Sequence, residues 1–396
     1  MWVLLFLFFQ QNIGLTADLN QSTETSQFEP FGYLSLRSLK NEGRNGSTPS
    51  LLSATGLLKS RLNGDHDSFV AQIRPLLSHA TNSSVIETSA YLDELYWEHR
   101  FSASSFIFLG RRKIVNGVAI GRNPSDFFNQ RKTQDRILND EDRRAEIEGD
   151  DMIGWSYFGR SYSVQSLLGA PTGNSRKHIR SMLQVNINLN SLATDLSFLA
   201  YYADHPSFGM NISTLSGENI TVYAEAAMRR GRDRKSPVQS SNAVVIDSVD
   251  DANKWIADTV IGGQYTTDNG ITLAAEYWRN NNGFSESEYT GIFRTLTTNQ
   301  GNPYLAGNLL NSSSLRRNYS FFRIGDIPFS NKLKGEFTWV HNLDDSSNFL
   351  RCTVNFDVGK FDSFRIGVDG YSGSKFTEFG SSKINRRAFI IYKRNF

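Results

Sequence analysis

The last stretch of the sequence, INRRAFIIYKRNF from Ile384 to Phe396, decides the fold. Its alternate positions carry two different sets of side chains, which are Ala388, Ile390, Tyr392 and Arg394 on one face and Phe389, Ile391, Lys393 and Asn395 on the other. A period of two predicts a β-strand. As the last strand it would be a half-apolar sheet edge that invites aggregation unless it pairs, and the first strand is the available partner. Pairing of the first and last strands predicts a closed barrel.

The composition favours a barrel that crosses a membrane with strands. The chain has 396 residues, of which 39% are hydrophobic, and its mean hydropathy is −0.39. Outside the N-terminus, no apolar run reaches the about 20 residues that a membrane helix needs. A barrel strand exposes only alternate residues to lipid, so its average hydropathy resembles that of a soluble protein. The 28 Phe, 15 Tyr and 6 Trp residues fit aromatic girdles at the two membrane surfaces.

Segments with a period of two recur along the chain and predict an all-β, closed antiparallel transmembrane barrel of about eighteen strands, with about sixteen as the alternative count. Every second connection is a short turn, such as Asn63-Gly64-Asp65 and Pro328-Phe329-Ser330. The intervening connections are usually longer and include 113–151, 231–252, 282–313 and 373–383. This alternation predicts short periplasmic turns on one rim and long extracellular loops on the other.

The face pattern of single strands predicts which side meets lipid. In 347–358, Leu350, Cys352, Val354 and Phe356 alternate with Arg351, Thr353, Asn355 and Asp357. A charged side chain at mid-bilayer costs about 2–4 kcal/mol, so the polar face is expected to line a wet interior. Cys352, the one cysteine, is then a small lipid-facing residue, and no disulfide, metal or cofactor is predicted. Segment 86–99 is ambiguous, because Asp93 shares the face of Leu95 while Glu94 lies opposite.

The charges predicted to face inward are equal in number for the two signs. The basic set is Lys59, Arg61, Arg74, Arg180, Arg316, Lys334, Arg351, Arg365 and Lys393, and the acidic set is Glu94, Glu98, Asp195, Glu225, Asp258, Glu276, Glu336, Asp357 and Asp369. Opposed basic and acidic walls predict a transverse field that selects solutes by size and dipole. An exporter of a polyanion would need a surplus of Arg and Lys. The net charge of +2, not concentrated in any segment, argues against a nucleic-acid partner.

A resemblance to bacterial outer-membrane channels rests on two stretches. Leu109-Gly110-Arg111-Arg112, followed by Gly117 and by Gly121-Arg122-Asn123-Pro124-Ser125-Asp126, is similar to a pattern in porin-like and alginate-export-like barrels that precedes a loop folded into the pore. The terminal strand ending in Phe396 resembles the C-terminal signal of such barrels, although Arg394 stands where an apolar residue is usual. The resemblance implies an outer-membrane location, a lipid environment and recognition of the C-terminal strand by the barrel-assembly machinery.

The 113–151 loop is the candidate pore constriction. Its segment 134–148 is dense in both signs of charge, which is compatible with a short helix inside the lumen or with a solvated surface loop. We expect pore-lining or solute-contacting roles for a set of charged residues in this loop and on the inward faces. The set is Arg111, Arg112, Arg122, Asp126, Arg61, Arg74, Arg180, Arg316, Lys334, Glu336, Arg351, Asp357, Arg365 and Asp369.

The function predicted from these patterns is passive transport. Residues 1–17 resemble a secretory signal peptide, and 18–396 would form a single barrel domain that passes hydrophilic solutes or saccharides. One alternative is an exporter of an anionic polysaccharide. Another is a non-conducting structural or adhesive barrel that binds partners through long loops such as 282–313. The six histidines are scattered with no spacing that singles out a dyad, so no enzymatic activity is predicted.

Overall fold

The structure is a computed structural model that describes residues 27–44, 46, 50–129, 140–170, 179–232, 236–240, 243–247, 253–298, 303–310 and 314–396. Within these residues, eighteen strands form one antiparallel sheet that closes on itself. This confirms the predicted all-β barrel and its larger strand count. The predicted signal peptide, residues 1–17, lies outside the described residues.

The barrel strands are β1 (Gln27–Gly43), β2 (Leu51–Asn63), β3 (Asp67–Ala80), β4 (Ile86–Ser102), β5 (Ser105–Arg112), β6 (Asp150–Phe158), β7 (Tyr162–Ala170), β8 (Arg180–Leu189), β9 (Thr194–Tyr202), β10 (Pro206–Ser216), β11 (Ile220–Arg230), β14 (Trp255–Thr266), β15 (Thr272–Asn280), β16 (Asn318–Ser330), β17 (Leu333–Asn342), β18 (Asn348–Val358), β19 (Asp362–Ser372) and β20 (Ile384–Asn395). The loops add the hairpin β12 (Ser236–Ser240) and β13 (Ala243–Asp247) and the helices α1 (Asp140–Ala145), α2 (Glu286–Thr298) and α3 (Pro303–Leu310).

The barrel closes where β1 pairs with β20. At this seam the Gly32 amide donates to the Phe396 carbonyl at 3.2 Å, and the Phe396 amide donates back to the Gly32 carbonyl at 3.0 Å. A Cβ atom on Gly32 would lie 2.4 Å from the Leu57 carbonyl oxygen and 2.7 Å from the Phe396 ring, so the seam requires glycine. Closure pairs both terminal strands and removes the exposed sheet edges.

The two faces of β18 show how the wall divides lipid from interior. Leu350, Cys352, Val354 and Phe356 are exposed on the outer face, while Arg351 is buried on the inner face, as the alternating pattern predicts. Other strands repeat this arrangement, and the outer surface is accordingly apolar. An apolar exterior around charged interior groups is what a lipid environment demands.

The turn predicted at Pro328-Phe329-Ser330 is wrong. β16 continues through Ser330, and the chain reverses at 331–332. Two irregularities in the pairing with β17 displace the turn, one between Ile324 and Ile327 and one between Pro328 and Ser330. Asp326 within the first has φ 56°, so extra residues are absorbed into the strand before it turns.

A β-bulge in β4 explains the ambiguous face pattern of that strand. β3 pairs Gln72 with Glu94 and Ile73 with Leu92, so Asp93 is the extra residue. Both Asp93 and Glu94 are buried on the inner side, whereas Leu95 is exposed to the outside. The bulge therefore turns two consecutive carboxylates inward, which a strict alternation forbids.

Candidate functional site

Two described parts of the loop between β5 and β6 contact the inner wall of the barrel. We call residues 113–129 the first arm and residues 140–149, which include α1, the second arm. The first arm contacts strands from β4 to β15, and the second arm contacts β1, β3, β4 and β20. The arms meet at β4 and otherwise engage different parts of the wall.

Apolar packing holds one end of the first arm. Ile114, Phe127 and Phe128 are buried against an apolar patch of the inner wall that consists of Phe108, Met152, Leu167, Met182, Leu199 and Ala227. Burying each such side chain contributes roughly 1.5–3 kcal/mol. This part of the interior is apolar and buried, which the sequence-based expectation of a uniformly polar inner face did not include.

Two buried carboxylates hold the middle of the first arm. Glu225 on β11 accepts hydrogen bonds from the amides of Val118 and Ala119 at 3.0 and 3.3 Å. It also accepts from the Ser125 amide at 2.7 Å and the Ser125 hydroxyl at 2.9 Å. Since the Glu225 side chain is fully buried, these donors replace the water that a carboxylate would otherwise require.

Glu276 on β15 likewise binds the next two residues of the arm, Ile120 and Gly121. It accepts from the Ile120 amide at 2.6 Å and the Gly121 amide at 3.1 Å. The Tyr223 hydroxyl and the Trp278 indole N–H also donate to it, at 2.7 and 2.6 Å. Four consecutive backbone N–H groups, 118–121, therefore point at two wall carboxylates.

Glycines permit this close approach. A Cβ atom on Gly121 would lie 2.3 Å from the Trp278 ring and 3.0 Å from a Glu276 carboxylate oxygen. Gly117 has φ 104°, a conformation that favours glycine, and it begins the docked segment. Just beyond it, Arg122 donates to Asn280 at 2.9 Å and pairs with Asp258 at 3.3 Å.

Ion pairs hold the second arm. The Glu146 carboxylate accepts from the Tyr33 hydroxyl at 2.8 Å and from the Arg37 guanidinium, and Arg74 lies 3.9 Å from it. Asp142 pairs with Lys393 at 2.5 Å. These contacts put the second arm against the cationic part of the inner wall and not out in solvent.

The inner wall from β16 through β20 to β3 is rich in cations that share carboxylate partners. Arg351 forms a two-pronged pair with Asp369 at 2.7 and 2.9 Å, and Arg387 lies 3.8 Å from the same carboxylate. Glu336 pairs with Arg323 at 2.8 Å and with Arg365 at 3.5 Å. Because two cations share one carboxylate in each of these groups, positive charge exceeds negative charge on this part of the wall.

Several inner cations are more exposed than the two acids that anchor the first arm. The Lys59, Arg323 and Arg387 side chains are 37%, 26% and 20% exposed. Glu225 and Glu276 are only 1% and 4% exposed, because the first arm covers them. These three cations therefore keep contact with solvent, whereas the two anchoring acids do not.

Most residues predicted to line the pore lie on the inner side. On the inner faces of the strands the structure places Arg61, Arg74, Arg112, Arg180, Glu336, Arg351, Arg365 and Asp369. Arg122 reaches the wall from the first arm. Asp126 is used within that arm, where it accepts from the Asn129 side-chain amide at 3.0 Å.

Two predicted positions need correction. Arg111 shares the outer face of β5 with Leu109 and pairs with Asp151 at 2.8 Å, because the strand alternation continues to its end. Arg316 precedes β16 and is buried among the long loops, with its guanidinium over the Tyr289 ring and an ion pair to Glu286. Lys334 and Asp357 keep the inner face of their strands, as predicted, and are exposed near the short-turn rim.

The sequence reasoning missed several inner charges, which are Arg37, Asp93, Asp150, Arg229, Arg323 and Arg387. Arg37 shares the face of Tyr33 and Ser35, so the alternation was a sufficient signal for it. Arg387 shares its face with Phe389 and Ile391, which are buried inside, so apolar neighbours masked its direction.

The fold and its two faces define the class: this is a multi-pass β-barrel of the outer-membrane type. Among solved structures it is similar to OccAB1 of Acinetobacter baumannii, with TM-score 0.59, 10% identity, and coverage of 93% of this chain and 96% of that chain. OprD of Pseudomonas aeruginosa gives 0.54 and 9%, with 93% of each chain covered. OpdK of the same organism, solved with vanillate, gives 0.56 and 11%, covering 93% of this chain and 98% of that chain.

These likenesses concern the fold. No family model matches the chain, and no curated protein matches its sequence. The porin part of the resemblance read from the sequence agrees with the solved structures, whereas its alginate-export part finds no support among them.

Proposed function

We propose that the protein is a passive channel of the outer membrane, and not an enzyme, which admits small hydrophilic solutes through a lumen narrowed by the 113–149 loop. The observation that carries this proposal is the docking of both arms of that loop on the inner wall, at Glu225 and Glu276 on one side and at Arg37 and Lys393 on the other. The fold shared with outer-membrane channels supports it.

The accessible inner charge favours anions among these solutes. Cations such as Lys59 and Arg323 keep contact with water, while the acids beneath the first arm do not. A cationic lining attracts a carboxylate and replaces part of its hydration. The similar structure of OpdK was solved with vanillate, which is a small aromatic carboxylate.

Reconstitution into liposomes tests the channel. We expect swelling in small sugars and in small carboxylates, and a reversal potential in planar bilayers that shows anion preference. Replacement of 123–148 by a short linker should raise single-channel conductance, since it removes much of both arms. Liposomes that admit neither sugars nor carboxylates would favour the non-conducting adhesive barrel, and passage of long anionic polysaccharides would favour the exporter.

A further inference from the structure

The 117–121 segment is unusual in how its backbone hydrogen bonds are satisfied. The N–H groups of residues 118–121 are taken up by wall carboxylates and not by another strand. Successive N–H groups that point outward form a concave anion-binding backbone. Here the anions are side chains of the barrel itself.

We propose that Glu225 and Glu276 are positioning residues that fix the first arm and thereby set the size limit of the channel, an inference that rests on the proposed function. The two carboxylates belong to different strands, β11 and β15, so they hold the segment at two separated points. Arg122 adds a third attachment through Asn280. A backbone held at three points does not swing across the lumen.

The chemistry of the anchors explains why they are glutamates. A carboxylate offers only acceptors, and each anchor receives four donors. A glutamine has the same shape, but an NH₂ group replaces one of the two acceptor oxygens. That NH₂ group would face N–H and O–H groups that are themselves donors. The isosteric change therefore detaches the arm without creating a cavity.

A purely structural role for these residues predicts a different result. Phe127 and Phe128 also attach the arm, so a structural glutamate would affect barrel stability and leave the passage unchanged. A positioning glutamate changes the largest solute admitted in a barrel that remains folded. The exclusion limit in liposomes is therefore the decisive measurement, and heat-modifiable electrophoretic mobility reports folding.

The test compares Glu225→Gln, Glu276→Gln and the double variant with wild type. We expect higher single-channel conductance and entry of larger sugars, most strongly in the double variant. Glu336→Gln removes the same charge from the inner wall without touching the arm, so it should shift ion selectivity but not the exclusion limit. Folded Gln variants with the wild-type exclusion limit would overturn the proposal.

An engineered disulfide can attach the first arm to the wall in place of the two glutamates. A Cβ atom on Gly209 would lie 3.0 Å from the Ser125 Cβ, about 0.5 Å below the about 3.5–4.5 Å range of disulfides, so the bond requires a small shift of the arm or of β10. In a Cys352→Ser background, Ser125→Cys with Gly209→Cys should pin the arm in the double Gln variant and restore the wild-type limit. Reduction in the bilayer should then raise conductance, while reduction in the background that keeps both glutamates should not. Equal responses in the two backgrounds contradict the proposal.

The two hypotheses fail in different ways. A wild-type protein that conducts neither ions nor solutes contradicts the proposed function itself. If the wild type conducts, but the exclusion limit is the same with intact and with substituted Glu225 and Glu276, only the positioning role is contradicted.

Discussion

Glu146 and Glu148 are two residues apart and have different surroundings. Glu146 lies against the inner wall at Tyr33 and Arg37, whereas Glu148 lies 3.5 Å from Arg111, whose side chain is on the outer face. The pair therefore separates the effect of charge in the lumen from the effect of charge on this loop. The sequence alone gave no reason to distinguish them.

We expect Glu146→Gln to increase anion preference, because it removes a negative charge from the cationic part of the lumen. The reversal potential under a KCl gradient measures this shift. Glu148→Gln is the matched control, since the same change beside Arg111 should leave the reversal potential unaltered. Equal shifts in the two variants would show that the second arm does not bring Glu146 to the ion path.

We expect Lys113 to make the proposed channel sensitive to mildly alkaline pH. Burial lowers the pKa of its ammonium group to about 8, although Glu94 and Asp93 act in the opposite direction. Below that pH the group is charged and above it the group is neutral. We therefore expect anion preference to fall between about pH 7 and pH 9, and to fall less in Lys113→Gln. An unchanged pH profile in that variant would argue against titration of Lys113.

At the scale of elements, the bulge in β4 creates an inner charge cluster. Arg74 donates to both oxygens of Asp93 at 2.9 and 3.0 Å, and Gln72 donates to the same carboxylate at 3.1 Å. Asp93 is fully buried, so the cluster depends on the extra residue that the bulge inserts. Sequence alternation placed Asp93 toward lipid, because a bulge leaves no local signal stronger than the broken pattern itself.

We expect Asp93→Ala to destabilise the barrel by roughly 3–5 kcal/mol, since it removes the main partner of a buried guanidinium. The temperature at which the folded electrophoretic band converts to the unfolded band reports this loss. Glu87→Ala is a suitable control, because Glu87 is exposed on the same strand. A similar conversion temperature for both variants would mean that the Asp93 pair contributes little to stability.

The candidate site was only partly predictable from these elements. The strand parity gave Arg74, Arg351 and Asp369 correctly as inner residues. Docking of the first arm depends on contacts between residues about a hundred positions apart, such as Ser125 with Glu225, which no local period encodes. The sequence therefore identified the loop and several inner charges, but not which acids the loop would cover.

At the scale of the whole molecule, the seam between β1 and β20 completes the cylinder. Phe396 contributes two main-chain hydrogen bonds to Gly32 and packs its ring beside that glycine. The resemblance noted in the sequence also makes this strand the expected contact for the barrel-assembly machinery. Both roles concern assembly and not transport.

We expect deletion of Phe396 to lower the fraction of heat-modifiable, folded protein in the membrane, because the seam loses two hydrogen bonds and its terminal ring. Conductance of the barrels that do fold should stay as in wild type. Phe396→Tyr is the control, since it keeps the backbone and the ring. Normal assembly of the deletion variant would contradict a role for the terminal residue.

The overall architecture was predictable because one physical rule repeats in every strand. Lipid penalises charge on alternate positions, so patterns such as Leu350 to Asp357 report the wall directly. Loop structure follows no such repeat. For example, Tyr289 and Ile292 of α2 and Ala306 of α3 form a small core with Phe284, which precedes α2, and strand periodicity does not predict this core.

The conduit we propose is bounded by the first arm on the side of β8 to β15 and by the second arm at β20, β1, β3 and β4, so it is off-centre. Permeating solutes would then contact the part of the inner wall that neither arm covers. Substitutions behind a docked arm would affect folding and not permeation. Residues of the same inner wall are therefore under two kinds of evolutionary constraint, one from transport and one from folding.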